Sequence, residues 1–252
     1  MSWGGEYLNV CREAAQNGDN FNAFKSNSHY RCILEHCSYA QGKEHFEIIK
    51  NQTPELLECL DKFSINDKYG SPICYEFSGR QFSPTTIQYM KVLSDLIKNF
   101  SVEKLNGLRV LELGVGYGGQ YVVLSEWLNF ESYTFVDLPE VIDLTRAYLT
   151  KLGKVTDGLQ FIKHSDNVIS QLGEYDLVIS NFAFSELTKD LQMKYIPEFN
   201  KIPAGYLHCN QMSDEQYNKD ELCDLIEHDK WCIGDIPSEA KNNYIMMWKD
   251  TK

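Results

Sequence analysis

Residues 108–124, LRVLELGVGYGGQYVVL, constrain this chain more than any other stretch. A short apolar run ends in an acid and then in a cluster of glycines, the pattern of a buried strand that turns sharply into a helix. Glycine lets the backbone make that turn and approach a ligand where a Cβ would collide. Two glycine patterns overlap here. Gly114, Gly116 and Gly119 have the G-x-G-x-x-G spacing of a dinucleotide loop, whereas residues 112–118 read E-x-G-x-G-x-G. The glycines alone do not choose between the two.

The rest of the chain agrees with a parallel sheet. After the glycine loop, strand-like and helix-like segments alternate: YVVLSEWL, SYTFVD, PEVIDLTRAYLTKLG, LQFIKHSD, NVISQLG, YDLVISN, TKDLQMKYIPEF, AGYLHCN and KDELCDLIEHD. Such alternation calls for a doubly wound α/β architecture. KWCIGDI and NNYIMMWK follow with no clear helix between them, which predicts an antiparallel hairpin at the sheet edge. Before the loop the spacing predicts short helices over EYLNVCREAAQ, HYRCILEHCSYA and TPELLECLDKF, with Thr53 as a cap and Pro54 in a first turn. A long irregular connection, SINDKYGSPICYEFSGRQF, leads to the best helix, PTTIQYMKVLSDLIKNF, capped by Ser83. The expected division is residues 1–80, a helical lid or dimerisation region, and residues 81–252, a cofactor-binding domain.

Composition narrows the partners. With 24 basic and 36 acidic residues the formal net charge is −12, so no diffuse positive surface exists for nucleic acid or anionic lipid. No apolar run reaches the roughly 18–20 residues of a membrane helix. The start, MSWGGEYLNVCREAAQNGDN, lacks the features of a signal peptide, so a cytoplasmic chain is expected. The eight cysteines form no C-x-x-C pair and read as reduced thiols. His29, Cys32, His36 and Cys37 lie close enough in sequence to form part of a zinc site, but their spacing matches no strong zinc pattern.

Three features decide the cofactor. Glu112 puts a carboxylate in a strand that should be buried, where a cationic ligand would compensate it and a dinucleotide would not. Asp137 ends the next strand, the position from which a carboxylate accepts both ribose hydroxyls. The sheet is expected to fill the residues that follow, 108–252, with none of them left to form the second domain of a dehydrogenase. VLELGVGYGGQ, YTFVDLPEV, HSDNV and YDLVISNFAFSEL, in this order, resemble the motifs of the class I S-adenosylmethionine-dependent methyltransferases. FSPTTIQYMKVL, SNFAFSEL and the closing NNYIMMWK are similar to the sugar O-methyltransferases within that class.

This resemblance implies a mostly parallel seven-stranded sheet, S-adenosylmethionine as cofactor and a sugar hydroxyl as acceptor. It implies that Glu112, Gly114, Gly116, Tyr117 and Gly118 shape the methionine end, and that Asp137 holds the ribose with Leu138 on the adenine. Ser165 and Asp166 fall near the adenine amino group, although Asp166 could instead cap a helix. Asn181 closes the fourth strand. Glu186 and His208 are the candidate general bases, since a weakly acidic hydroxyl needs one within hydrogen-bond reach. Ser185, Tyr75, Arg80, Gln81 and His29 are candidates for the acceptor, and a homodimer would account for the first 80 residues as well as a lid. No paired-acid signature follows the fourth strand, so no metal is expected. The alternatives are a non-sugar acceptor, an NAD(P)-dependent sugar-nucleotide reductase, which predicts a Tyr-x-x-x-Lys pair near the fourth to fifth strands where none occurs, and a catalytically silent binding module.

Overall fold

The computed structural model describes residues 3–210, 213–234 and 243–249. In chain order its elements begin with α1 (Trp3–Gln16), α2 (Gly18–Ala23), α3 (Ser28–Arg31), α4 (Tyr39–Gln52) and α5 (Leu60–Phe63). The hairpin β1 (Tyr75–Phe77) and β2 (Arg80–Phe82) follows, then α6 (Pro84–Phe100) and α7 (Val102–Leu105). The alternating part runs β3 (Arg109–Leu113), α8 (Gly119–Leu124), β4 (Ser132–Asp137), α9 (Pro139–Leu152), β5 (Leu159–Lys163), β6 (Leu177–Asn181) and α10 (Ala183–Glu186). It ends with α11 (Lys189–Phe199), β7 (Ala204–Cys209), α12 (Lys219–Leu225), β8 (Lys230–Gly234) and β9 (Tyr244–Lys249). Asp235 and Ile236 of the expected strand KWCIGDI, and Asn242 of NNYIMMWK, lie outside the described residues.

The chain forms two compact units, of which the sheet unit comprises Gly107–Gly114, Phe130–Leu138 and Gly158–Lys252. Its seven strands are ordered β5-β4-β3-β6-β7-β9-β8, parallel from β5 to β7, with β9 antiparallel to both of its neighbours. The chain winds outward from β3 through β4 to β5, then restarts beside β3 at β6 and winds the other way. The expected doubly wound, mostly parallel sheet is therefore present, with its antiparallel pair at one edge. Arg109 fixes the start of β3 by two parallel bonds to Asp176, Nε to Oδ2 and Nη2 to Oδ1, each 3.0 Å. At the other side Trp248 is fully buried and donates Nε1–H to the Ile202 carbonyl at 2.9 Å. Burial of one such side chain is worth roughly 1.5–3 kcal/mol.

The helical unit comprises Met1–Asn106, Val115–Asn129 and Pro139–Asp157, with α4 packed on α6, α1 on α9 and α6 on α8. Its centre is aromatic: Phe24 meets Tyr30 edge-on at 5.0 Å and Tyr117 meets Tyr148 at 5.0 Å. Lys25 is fully buried among them. It donates to the Asn66 carbonyl at 2.6 Å and to the Tyr148 hydroxyl at 3.1 Å, and lies 4.0 Å from the Tyr117 ring centre. Burial lowers its pKa against the attraction of Glu35 and Asp67.

Several local expectations change. HYRCILEHCSYA is not one helix: α3 stops at Arg31, and Ser38 begins α4 through a reciprocal capping box with Gln41. Thr53 does not cap; its hydroxyl donates to Ser94 Oγ at 2.8 Å, tying α4 to α6. The connection expected to be irregular contains a two-stranded hairpin, turned by Ser78 and Gly79, both at positive φ. Ser83 does cap α6, accepting from Thr86 N at 3.1 Å. That helix is buried on nearly every side, including a Lys91–Asp95 ion pair of 2.7 Å, so its apolar stripe understates its depth.

Candidate functional site

In open α/β sheets, ligands bind outside the carboxyl ends of the strands where the winding reverses. Here that point lies between β3 and β6. β3 reaches it through Glu112, which is 2% exposed between Leu111 and Leu113. The Tyr133 hydroxyl donates to Glu112 Oε2 at 2.6 Å. Burial, partly relieved by that bond and reinforced by the nearby Asp137 charge, pushes the carboxyl pKa up to about 8. The strand then turns at Gly114, whose φ is +79° and whose amide donates to the Val136 carbonyl at 2.9 Å. A Cβ there would lie 1.9 Å from the Ala183 Cβ, so this turn requires glycine twice over.

β4 delivers Asp137, whose Oδ1 accepts from Leu138 N at 2.7 Å, and Leu138, which is 41% exposed. A carboxylate is thus followed by an apolar ledge open to solvent. Next to it the Asp137 carbonyl accepts from His164 N at 2.7 Å, linking β4 to the start of the β5 loop. Ser165 and Asp166 in that loop are exposed. The short 3-10 turn that follows, Ile169–Gln171, has Val168 at its cap position, so Asp166 is not a helix cap.

The carboxyl end of β6 is built with more strain. Asn181 ends the strand half-buried, and Phe182 follows at φ +66°, a conformation L-residues rarely adopt. Three bonds hold it. Phe182 N donates to the His208 carbonyl at 2.7 Å, its carbonyl accepts from Glu186 N at 3.1 Å, and the same carbonyl accepts from Ser185 Oγ at 2.7 Å. Ser185 also accepts from Asn210 N at 3.0 Å and is 1% exposed, so its hydroxyl serves the loop. Glu186 is exposed at the end of α10, with Asn210 Nδ2 at 3.4 Å from its Oε1. His208 is buried in β7 with its ring 3.9 Å from that of Phe182. The sequence singles out this loop through Asn181, Ser185 and Glu186 but not Phe182, around which its backbone turns. A bulky residue at positive φ leaves no trace in a residue pattern.

The remaining candidates lie in the helical unit. Gly116 has φ +55°, and its carbonyl accepts from Thr145 Oγ1 at 2.6 Å; a Cβ there would come within 2.5 Å of Leu34 Cδ1. Gly118 stands at the cap position of α8. Tyr117 is fully buried, with its ring in the aromatic centre and its hydroxyl accepting from Asn66 Nδ2 at 3.1 Å. Tyr75 is half-exposed on β1 and stacks on Tyr39 at 4.7 Å. Arg80 and Gln81 are on β2, where Arg80 pairs with Asp61 at 2.6 Å and Gln81 lies opposite Glu76. His29 holds Glu6 at 2.7 Å. A cavity of about 530 Å³ takes in Tyr75 but not Arg80, Gln81 or His29, and its wall carries Glu35, which the sequence did not single out. All eight cysteines are free, and no group of three or more metal-ligating side chains occurs among the described residues. No described helix is long and apolar enough to cross a membrane.

No protein-family model matches the chain, and no curated protein does. Among solved structures it is similar to an S-adenosylmethionine-dependent methyltransferase from Aquifex aeolicus, with 20% identity over 64% of this chain and 87% of that one and a TM-score of 0.46. It is similar to a protein from Pyrococcus horikoshii OT3, at 14% identity over 65% of this chain and 88% of that one, TM-score 0.49. It is also similar to the bifunctional kinase-methyltransferase WbdD, at 20% identity over 64% of this chain and 39% of that one, TM-score 0.49. These likenesses are distant. The strand order itself, parallel through β7 with one antiparallel strand inside the edge, is that of an open, doubly wound, Rossmann-like sheet.

Proposed function

We propose that the chain is an S-adenosylmethionine-dependent O-methyltransferase whose acceptor is a sugar hydroxyl. One observation carries this reading: Glu112 is a buried carboxylate with a raised pKa and a single hydroxyl for support, at the carboxyl end of the strand where the winding reverses. A buried acid so little compensated is matched by a cationic ligand, which repays its desolvation, and not by the pyrophosphate of a dinucleotide. Asp137 and the exposed Leu138 fit a ribose and the face of a base in the same way. Gly116, Tyr117 and Gly118 are assigned to the methionine end, and Ser165, Asp166 and Asn181 to the cofactor's surroundings, on the sequence resemblance.

When bound, the cofactor supplies an activated methyl group. The protein then has to align an acceptor oxygen with it, exclude water and receive the acceptor's proton. Of the two bases expected from the sequence, Glu186 stands in solvent and His208 in the core.

The test is incubation with methyl-labelled S-adenosylmethionine and a panel of nucleotide-sugars and oligosaccharides, with and without chelator, alongside calorimetry with the cofactor and with NADPH. Label in a sugar ether supports the whole reading. Label only in a non-sugar acceptor supports the transferase and removes the sugar. Binding of NADPH without binding of S-adenosylmethionine overturns both.

A further inference from the structure

Within the sheet unit, thiols gather where α12 covers the edge of the sheet. Register places Cys232 of β8 across from Met246 of β9, and Met246 across from Leu207 of β7, so these side chains form one row on one face. Met246, Leu207 and Leu222 of α12 belong to one buried apolar cluster, against which Cys223, Leu225 and Cys232 also pack. Helix and strand thereby bring together two cysteines nine residues apart, with their sulfurs 3.9 Å from each other. Both side chains are half-buried, within reach of a small solute. Cys209 of β7, close to both, is instead fully buried, with its Sγ 3.8 Å from the Leu207 carbonyl oxygen. β8 ends the strand order, with β9 as its neighbour there. A strand so placed is among the first parts of a sheet to open.

We propose that Cys223 and Cys232 form an oxidation site, at which a peroxide converts the thiol pair into a disulfide that anchors β8 to α12. The inference is independent of the methyltransferase reading. A disulfide holds its sulfurs about 2 Å apart, so closure asks for an approach of about 2 Å between a short helix and an edge strand.

The chemistry proceeds in two steps that balance. Cys223 attacks the peroxide as a thiolate and the O–O bond breaks. One oxygen stays on the sulfur as a sulfenic acid, and the other leaves as hydroxide and recovers the proton that Cys223 released, giving water. The Cys232 sulfur then attacks the Cys223 sulfur, the S–S bond forms and the S–O bond breaks, and the hydroxyl leaves as a second water with the Cys232 proton. The two thiols are oxidised by two electrons in all, and the peroxide is reduced.

The surroundings set the order of the two cysteines. Burial and the adjacent Cys223 thiol raise the Cys232 pKa, against the pull of the Lys219 and Lys230 ammonium groups. Cys232 therefore keeps its proton through the first step, and Cys223 is the sulfur that attacks the peroxide.

The experiment treats the full, reduced chain with hydrogen peroxide, alkylates the remaining thiols and maps the peptides by mass spectrometry without reduction. Two of the eight thiols should be lost, in one intramolecular bridge between the Cys223 and Cys232 peptides, and dithiothreitol should restore both. Cys223→Ser should slow oxidation of Cys232 by about 10-fold or more, and Cys232→Ser should leave a Cys223 sulfenic acid that dimedone traps. Amide exchange in β8 should slow by about 10-fold on oxidation of wild type and in neither serine variant, while β4 stays within about twofold. The map of the wild-type chain reads the bridge whether or not the variants fold. A bridge through Cys209, a bridge between chains through Cys32, further oxidation of Cys223 with Cys232 still free, or survival of both thiols in excess peroxide overturns the site. Equal β8 exchange in the reduced and oxidised chains overturns the anchoring.

Discussion

The Tyr133 hydroxyl reaches across from β4 to donate to Glu112 on β3 at 2.6 Å. Parallel register pairs Glu112 with Phe135 and Val110 with Tyr133, so the tyrosine is the diagonal neighbour on the same face of the sheet. The bond favours the ionised acid, yet burial outweighs it and the pKa stands at about 8. Between about pH 4.5 and 8 the folded chain therefore keeps a proton that the unfolded chain has lost, and this group's contribution to stability declines as pH rises through that window. Denaturant titrations from pH 5 to 9 should show a downward slope that Glu112→Gln flattens, by an amount on the order of a few kcal/mol. Tyr133→Phe should carry the slope to higher pH. Equal slopes in wild type and Glu112→Gln would mean that the acid ionises normally.

On the proposed reading, the same linkage makes cofactor binding proton-coupled. A cation beside Glu112 lowers its pKa, so S-adenosylmethionine should bind with proton release below about pH 8 and gain up to tenfold in affinity per pH unit there. Calorimetry in buffers of different ionisation enthalpy reads the proton count, and a count of zero in wild type would exclude the contact.

Gly114→Ala should destabilise by about 2–4 kcal/mol, because the new Cβ meets both a positive φ and the Ala183 side chain. Gly173 has no atom within 4 Å of a built Cβ and no positive φ, so Gly173→Ala should stay within about 0.5 kcal/mol of wild type. The pair separates a steric demand for glycine from a general intolerance of substitution.

Ser185→Ala removes both the donor to the Phe182 carbonyl and the acceptor of Asn210 N. A cost of about 1–3 kcal/mol is expected, together with faster amide exchange at Glu186, whose donor bond shares that carbonyl. Unchanged exchange would show that Phe182 holds its backbone conformation unaided.

Lys25 gives a contrast between two truncations. Lys25→Met should fall within about 1 kcal/mol of wild type, since the Asn66 carbonyl keeps the Tyr148 hydroxyl at 2.6 Å as donor. Lys25→Ala should cost about 2–5 kcal/mol, because it also empties the space between Phe24, Tyr117 and Tyr148. Equal losses for the two variants would place the weight on the charge.

The sheet was legible because its signals are local and repeated. SYTFVD and PEVIDLTRAYLTKL delimit β4 and α9 as they stand, and Gly153 ends the helix at φ +69°. Glu112 and Asp137 were legible for a related reason, being acids at positions where burial or the end of a strand makes an acid informative. The Glu112 support could also have been read, since parallel pairing alone puts Tyr133 on the same face. The helical unit was harder. The S-x-x-Q capping box at Ser38 and Gln41 was in plain sight, but the apolar run before it suggested an unbroken helix. Tyr75, Arg80 and Gln81 share one connection in the sequence, yet of the three only Tyr75 lines the cavity, because the hairpin they form separates neighbours that the chain keeps adjacent. Glu35 could not be singled out, because what distinguishes it is burial by segments far away in sequence.

The placement of β9 has a kinetic consequence. β8 has β9 as its sheet neighbour, and β9 in turn completes β7, so β8 leaves the ribosome before the strand that will receive it. Until Trp248 docks under Ile202, β7 presents an open, apolar edge and β8 has no template. Late pairing of this kind slows folding and exposes strand edges to other chains. The nascent protein is therefore most vulnerable to misassociation after most of its core has been made.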